Sequence, residues 1–238
     1  MNLLEKKQFV EQNISKLPEQ ELHDFKSNFE CVFTKRSCSM EGNLISLAKV
    51  IQIVKGRGTG LESDIARSAF NHYQAFKMIE ERALNNEPLT EEFVKDVHAK
   101  LMDGMSIGGL YRNVDIKING SEHTPCSYLK VRDRMDKFFY DIEHFEGTDL
   151  ELVAYTHLQI AKIHPFLDGN GRLARLLLNY QLIRLGYLPI TFTVKLRQDY
   201  FNTLEAFKVQ KTSAPFMNLL SLRLNREYDR IIEVIERY

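Results

Sequence analysis

The chain of 238 residues has no tryptophan, only six prolines and three cysteines, and no surplus of either charge. Each shortage excludes something. Lys plus Arg equals Asp plus Glu at 32 each, whereas bulk nucleic-acid binding leans on excess basic charge to neutralise phosphates. Cys31, Cys38 and Cys126 are odd in number, without paired or zinc-type spacing, and read as reduced thiols. No apolar run approaches the ~20 residues of a membrane span. The opening MNLLEKKQFVEQ lacks the apolar stretch of a signal peptide. The expectation is a soluble, cytoplasmic protein with no nucleic-acid and no membrane partner. Its length suits one domain, or a core with an added segment, burying roughly 70–75% of its unfolded surface.

What is present is mostly helical period. Leu22, Phe25, Phe29 and Val32–Phe33 have the spacing of one helix face within residues 19–41. A second apolar run, Leu44 to Val54, follows the Gly42–Asn43 break and stops at GRGTG (56–60). That glycine-rich piece lacks the lysine and hydroxyl of a phosphate loop and reads as a connector. It divides an N-terminal segment, 1–60, from a core, 61–238. Residues 61–85 predict a long amphipathic helix with Ile65, Ala69, His72, Phe76 and Ile79 on one side. Thr90 starts a shorter one, with Glu91 and Glu92 where carboxylates suit the helix dipole.

One place breaks the pattern. In VDIKINGSEHTPC (114–126), Val114, Ile116 and Ile118 alternate with polar residues up to Asn119–Gly120, the strongest short hairpin signal. A lone hairpin is marginal in water, so it is expected to lie against the helical body with one edge exposed. Such an edge is either ornament or a template for an extended peptide.

The densest stretch is HPFLDGNGRLAR (164–175), between two helical runs, Leu150–Ile163 and Arg172–Leu185. Pro165 pushes His164 out of the helical region, and Gly186 stops the second run. The DGNG loop leads into a helix N-terminus, where free N–H groups and the dipole favour an anion. Gly169 and Gly171 let that backbone approach a ligand. Arg172 and Arg175 share one face at the end where cations are least welcome, costing roughly 0.2–0.5 kcal/mol in mutual repulsion. A polyanion would reverse that sign, and a divalent cation would reconcile it with Asp168. His164, with an ordinary pKa of ~6.5, is a candidate general base. A core histidine, a plain turn and a solvated arginine face are the bland alternatives. Several local rules broken in one window favour a site.

This stretch resembles the Fic-domain signature HPFxDGNGRxxR and matches it at every defined position. GGLYRNVDIKING (108–120) is similar to the family's G-x-Y-R segment and flap, and the core resemblance runs from about 61 to 222. The resemblance implies an all-α, Fic-type helical bundle with one small β-hairpin flap. It also implies transfer of AMP from ATP, with Mg²⁺, to a Ser, Thr or Tyr hydroxyl of a target protein, itself included. By position, His164 deprotonates the hydroxyl and Asp168 holds Mg²⁺. Gly169, Asn170 and Gly171 cradle phosphates, Arg172 stabilises pyrophosphate, and Arg175 takes the γ-phosphate. The flap residues Lys117, Ile118, Asn119 and Gly120 dock the target. SCSMEG (37–42) fits the family's inhibitory motif, implying that Ser37, Glu41 and Gly42 form a brake in which Glu41 pairs with Arg175.

Alternatives remain at this stage: removal of AMP, transfer of another nucleotide, and a non-catalytic nucleotide-sensing module. The resemblance also leaves a homodimer open. Gly171 disfavours the kinase-like relatives, which carry lysine there.

Overall fold

In the computed structural model, residues 1–59 and 61–238 are described; Gly60, the last residue of GRGTG, lies outside them. Among the described residues ten α-helices run in chain order: α1 Leu3–Asn13, α2 Glu19–Met40, α3 Leu47–Lys55, α4 Asp64–Leu84, α5 Glu91–Met102, α6 Val131–Glu143, α7 Asp149–Ile163, α8 Asn170–Arg184, α9 Arg197–Gln210 and α10 Ala214–Ile235. Their starts carry the caps that their sequences offer. Ser63 accepts from the Ala66 N–H, Thr90 from Phe93, and Thr148 with Glu151 closes a capping box.

α8 is the axis of the molecule. Twelve of its fifteen residues are buried, so it must be surrounded on all sides. One core lies on its Leu173, Leu176, Leu177 and Tyr180 side, with Phe33, Phe76, Phe93, Phe138 and Phe166. A second lies on its Leu178 and Leu182 side, with Val153, Leu158, Phe192, Tyr200, Phe216 and Tyr228. α2 reaches all three cores: Phe29 and Phe33 enter the first, Met40 the second, and Cys31 and Cys38 a small third one under α3. The N-terminal segment therefore shares its packing with the helices after residue 60. Ile65, placed inward by spacing, is exposed instead, at the first turn of α4.

The expected β-hairpin is not formed. Residues 114–126 contain no strand. Asn119 and Gly120 do turn, with Gly120 at φ +76° and the Ser121 N–H donating to the Ile118 carbonyl at 3.2 Å. The ladder is missing because side chains take the polar groups that would build it. Arg112 donates to the Val114 and Cys126 carbonyls, and the Glu205 carboxylate accepts from the Glu122 N–H. A turn without a paired limb is a loop, and this one keeps only alternation: Ile116 and Ile118 are half-buried while Lys117 and Asn119 are exposed.

Burial of imidazoles makes the fold acid-sensitive. Burial is the first cause that lowers His72, His98, His123, His157 (to about 3) and His164 (to about 4). Folded, these rings take up a proton less readily than unfolded ones, which protonate near ~6.5. Stability is thus insensitive to them above that value, and is lost as pH falls from it towards the folded pKa values. Urea midpoints should drop between pH 7 and pH 5. Equal midpoints would show that these rings do not govern acid stability.

Candidate functional site

α7 ends at Ile163 because Pro165 follows, but His164 takes the left-handed conformation, φ 52° and ψ 61°, not an extended one. That backbone costs of order 1–3 kcal/mol in a non-glycine residue and needs outside support. Arg112 supplies it. Its Nε donates to the His164 carbonyl at 2.9 Å and its backbone N–H to the Pro165 carbonyl at 2.9 Å. The same guanidinium clasps both ends of the 114–126 loop, through the Val114 and Cys126 carbonyls. One buried arginine thus fixes the histidine and the loop together.

The turn that follows is shaped from within. The Asn170 amide accepts from the Phe166 N–H at 3.0 Å and donates to the Phe166 carbonyl at 2.8 Å. Both its ends are engaged, so its side chain braces the loop in this structure. Phe166 is wholly buried and stacks on His98, with ring centroids 3.7 Å apart. His98 Nδ1 accepts from the Gly109 N–H, so its Nε2–H donates to the Asp168 carbonyl at 2.9 Å. Gly169 has φ +75°, and a Cβ there would meet Met102 Sδ at 3.0 Å and His98 Nε2 at 3.3 Å. Only glycine fits.

Beyond the turn, the first residues of α8 gather the charges. Arg172 and Arg175 are buried, not solvated. Arg172 donates to Ser68 Oγ at 2.9 Å and to Asp168 Oδ2 at 3.1 Å. Arg175 donates through Nε to Ser37 Oγ at 2.9 Å, and through Nη2 to the Ser37 carbonyl and to Glu41 Oε1, at 2.9 and 2.8 Å. Burial works against the Arg175 charge, but Glu41 and, after it, Tyr200 together outweigh it and hold the guanidinium above its ordinary value. Among the described residues, Arg175 Nη1 and Arg172 Nε remain buried without a partner. Buried donors are nearly always satisfied, so these two mark a place for an acceptor.

Glu41 lies over that place. It caps α2, and Gly42 at φ +90° turns the chain away behind it. A Cβ on Gly171 would sit 2.3 Å from Glu41 Oε1 and 3.3 Å from Arg175 Nη1. The carboxylate therefore rests against the N-terminal turn of α8, where the dipole favours an anion. The pairing is between residues 134 apart in sequence.

His164 is held to about 4, by burial first and by the cations Lys208 and Arg112 among the lesser causes. It is neutral near pH 7. Its Nδ1 faces the Ala161 carbonyl at 3.4 Å, which leaves the Nε2 lone pair to accept a proton. The 117–120 tip belongs to the loop clasped by Arg112; its Lys117 and Asn119 side chains are exposed. Asp168 is exposed, with one oxygen on Arg172. Sequence reasoning did not single out His98, Arg112, Ser68 or Glu205. The G-x-Y-R segment contained Arg112, but its partners are spread over the chain, and His98 alone looks like a core histidine.

Comparison with known proteins bears on this geometry. The Fic/DOC family model matches residues 88–182. A protein named Protein adenylyltransferase Fic from Drosophila grimshawi is 27% identical over 176 residues, 71% of this chain and 36% of its own. One of the same name from Aedes aegypti is 27% identical over 175 residues, 71% of this chain and 35% of its own. The chain thus spans about a third of the length of these relatives. Among solved structures, a Fic domain containing signaling protein from Bacteroides thetaiotaomicron superposes with a TM-score of 0.85 at 25% identity, covering 98% of this chain and 95% of that one. Fic-1 from C. elegans shares the fold, with a TM-score of 0.78 at 18% identity over 99% of this chain and 73% of its own. The family match runs across both helices that flank the His164–Arg175 loop, so a Fic/DOC-type domain occupies residues 88–182 of this chain.

Proposed function

We infer that this chain transfers AMP from ATP to a Ser, Thr or Tyr hydroxyl of a protein, itself included, and that Glu41 restrains the reaction. The observation that carries this reading is the pair of unpartnered guanidinium nitrogens at the start of α8, in the loop that begins with a neutral His164. The name of these relatives, protein adenylyltransferase, supports the same chemistry.

In the proposed reaction the target hydroxyl oxygen forms a bond to the α-phosphorus. The bond from that phosphorus to the bridging oxygen breaks, and pyrophosphate leaves. The hydroxyl proton passes to His164 Nε2. Such transfers depend mostly on positioning and on charge stabilisation. The Gly169 and Gly171 backbone, with Arg172 and Arg175, supplies both. The donor set suits Mg²⁺ in one respect: Asp168 is an exposed carboxylate with an oxygen to spare beside Arg172. Among the described residues no three His, Cys, Asp or Glu side chains cluster, and magnesium is commonly held by one or two carboxylates with substrate phosphates. When bound, it would offset phosphate charge.

The brake works by occupation. The Glu41 carboxylate takes one of the Arg175 donors and lies over Gly171, where the γ-phosphate would otherwise reach Arg175. ATP would then bind in a pose unfit for attack. The deciding experiment is incubation of the purified protein with each α-labelled nucleoside triphosphate in turn, wild type beside Glu41→Gly. Label from ATP on protein is expected. Binding of Mg·ATP with no label, even in Glu41→Gly, would make the chain a nucleotide-sensing module.

The 117–120 tip is proposed to dock the target, because the Lys117 and Ile118 N–H groups have no partner among the described residues' hydrogen bonds. An extended peptide could use them. Lys117→Pro removes one such donor and should lower label transfer severalfold with Mg·ATP affinity unchanged. Equal losses in both would show that the loop supports the nucleotide site.

A further inference from the structure

The loop that would dock the target has no strand pairing of its own, so something else must set its position. Arg112 clasps its two ends at Val114 and Cys126. The limb beyond the turn is held elsewhere, by α9. Glu205 accepts from the Ser121 hydroxyl through Oε1 and from the Glu122 N–H through Oε2, at 3.1 Å for the latter. These partners are more than eighty residues away in sequence. Next to them, His123 Nε2 lies 3.1 Å from the Lys162 carbonyl on α7.

We propose that Glu205 is a positioning residue, a latch from α9 that holds the 117–120 tip at the height where an incoming protein segment must lie. The proposal rests on the reading of this chain as a protein-modifying enzyme and assigns that reading its loop-fixing residue. Two features suit Glu205 to it. Both carboxylate oxygens are used on one short stretch of the loop, which fixes orientation as well as distance. Lys208, one turn on and almost wholly buried, approaches Oε1 at 3.3 Å from within the fold. The carboxylate is therefore gripped from both sides. Burial alone would push the Glu205 carboxyl up; Ser121 and Lys208 outweigh it and hold it below its usual range, so the latch is charged at neutral pH.

Without the latch, the tip would hang from the Arg112 clasp, the His123 contact and the bond from the Tyr128 N–H to Asp115 Oδ1. Local opening is easiest where few buried contacts and few hydrogen bonds resist it. The nucleotide loop should not notice the change, because its own supports are Asn170, His98 and Arg112. A group displaced by ~1 Å can lose on the order of 10²-fold in rate, so a loosened tip should depress transfer without weakening ATP.

The test uses the full chain with Glu205→Ala, Glu205→Gln and Ser121→Ala, each also in the Glu41→Gly background. Hydrogen exchange over 116–123, calorimetric binding of Mg·ATP, and self-labelling by α-labelled ATP are measured on all. Glu205→Ala should speed exchange across 116–123 and cut self-labelling about tenfold or more, with Mg·ATP affinity unchanged. Glu205→Gln should restore both readouts only in part: the amide can accept from Glu122 and donate to the Ser121 hydroxyl, but its NH2 then faces the Lys208 ammonium in place of Oε1. Ser121→Ala leaves the Lys208–Glu205 pair intact, so it reports on the latch even where Glu205→Ala folds poorly; it should show the same two changes more weakly. Unchanged exchange in both alanine variants would overturn the proposal, and so would a fall in Mg·ATP affinity parallel to the fall in labelling. Absence of labelling in Glu41→Gly itself would count against the enzymatic reading, and exchange would still decide whether Glu205 holds the loop.

Discussion

Glu41→Gly should raise incorporation of AMP on the order of 10²-fold over wild type. The reason is geometric. The carboxylate accepts from Arg175 Nη2 at 2.8 Å and covers the Gly171 backbone. Removing it would open the N-terminal turn of α8 to the terminal phosphate and free the Glu41-bound donor of Arg175 Nη2, beside the already unpartnered Nη1. The fold should tolerate the loss, because Arg175 keeps the Ser37 hydroxyl and carbonyl and the Glu41 side chain is 40% exposed. Arg175→Ala should not mimic it, since that change removes the phosphate's partner along with the brake's. The measurement is label incorporation by the two variants and wild type, with Mg·ATP binding recorded in parallel. If Glu41→Gly binds ATP, is folded, and labels at the wild-type rate, the brake is not built from this contact.

His164→Ala in the Glu41→Gly background should abolish the transfer so released, by ~10²–10⁴-fold, while Mg·ATP still binds. Proton removal belongs to the transition state, and the nucleotide's supports lie elsewhere in the loop. The pH profile carries a second, sharper signature. A base works in its neutral form, and His164 stays neutral until pH falls through about 4. Transfer by Glu41→Gly should therefore stay level on going down through ~6.5, the ordinary imidazole pKa, so long as circular dichroism shows the chain folded. A midpoint near that ordinary value would mean that the imidazole is more open to water than this fold makes it. Loss of ATP binding in His164→Ala would instead make the residue a support of the loop.

Much of this protein was determined by local sequence. Apolar spacing marks α2, α4, α7 and α8 because a helix face repeats every three to four residues, whatever lies opposite. The grouping of side chains in the loop was legible for a similar reason: His164, Asp168, Gly169, Asn170, Gly171, Arg172 and Arg175 sit within twelve residues, and a tight turn between two helices must bring them together. The SCSMEG stretch ends at a glycine that does stop α2, with Gly42 at φ +90°.

Tertiary structure decided the rest. The alternation of 114–126 suggested a hairpin, but a ladder needs free carbonyls and N–H groups on both limbs. Arg112 and Glu205, from outside the segment, take some of them. That Arg175 meets Ser37 and Glu41 across more than 130 residues, that His98 stacks under Phe166, and that Arg112 holds the strained His164 backbone leave no period in the chain. A hydrophobic pattern records which face of an element is inward. It does not record which polar atom waits on the other side, because that depends on how α2 and α5 pack against α8, and α9 against α7.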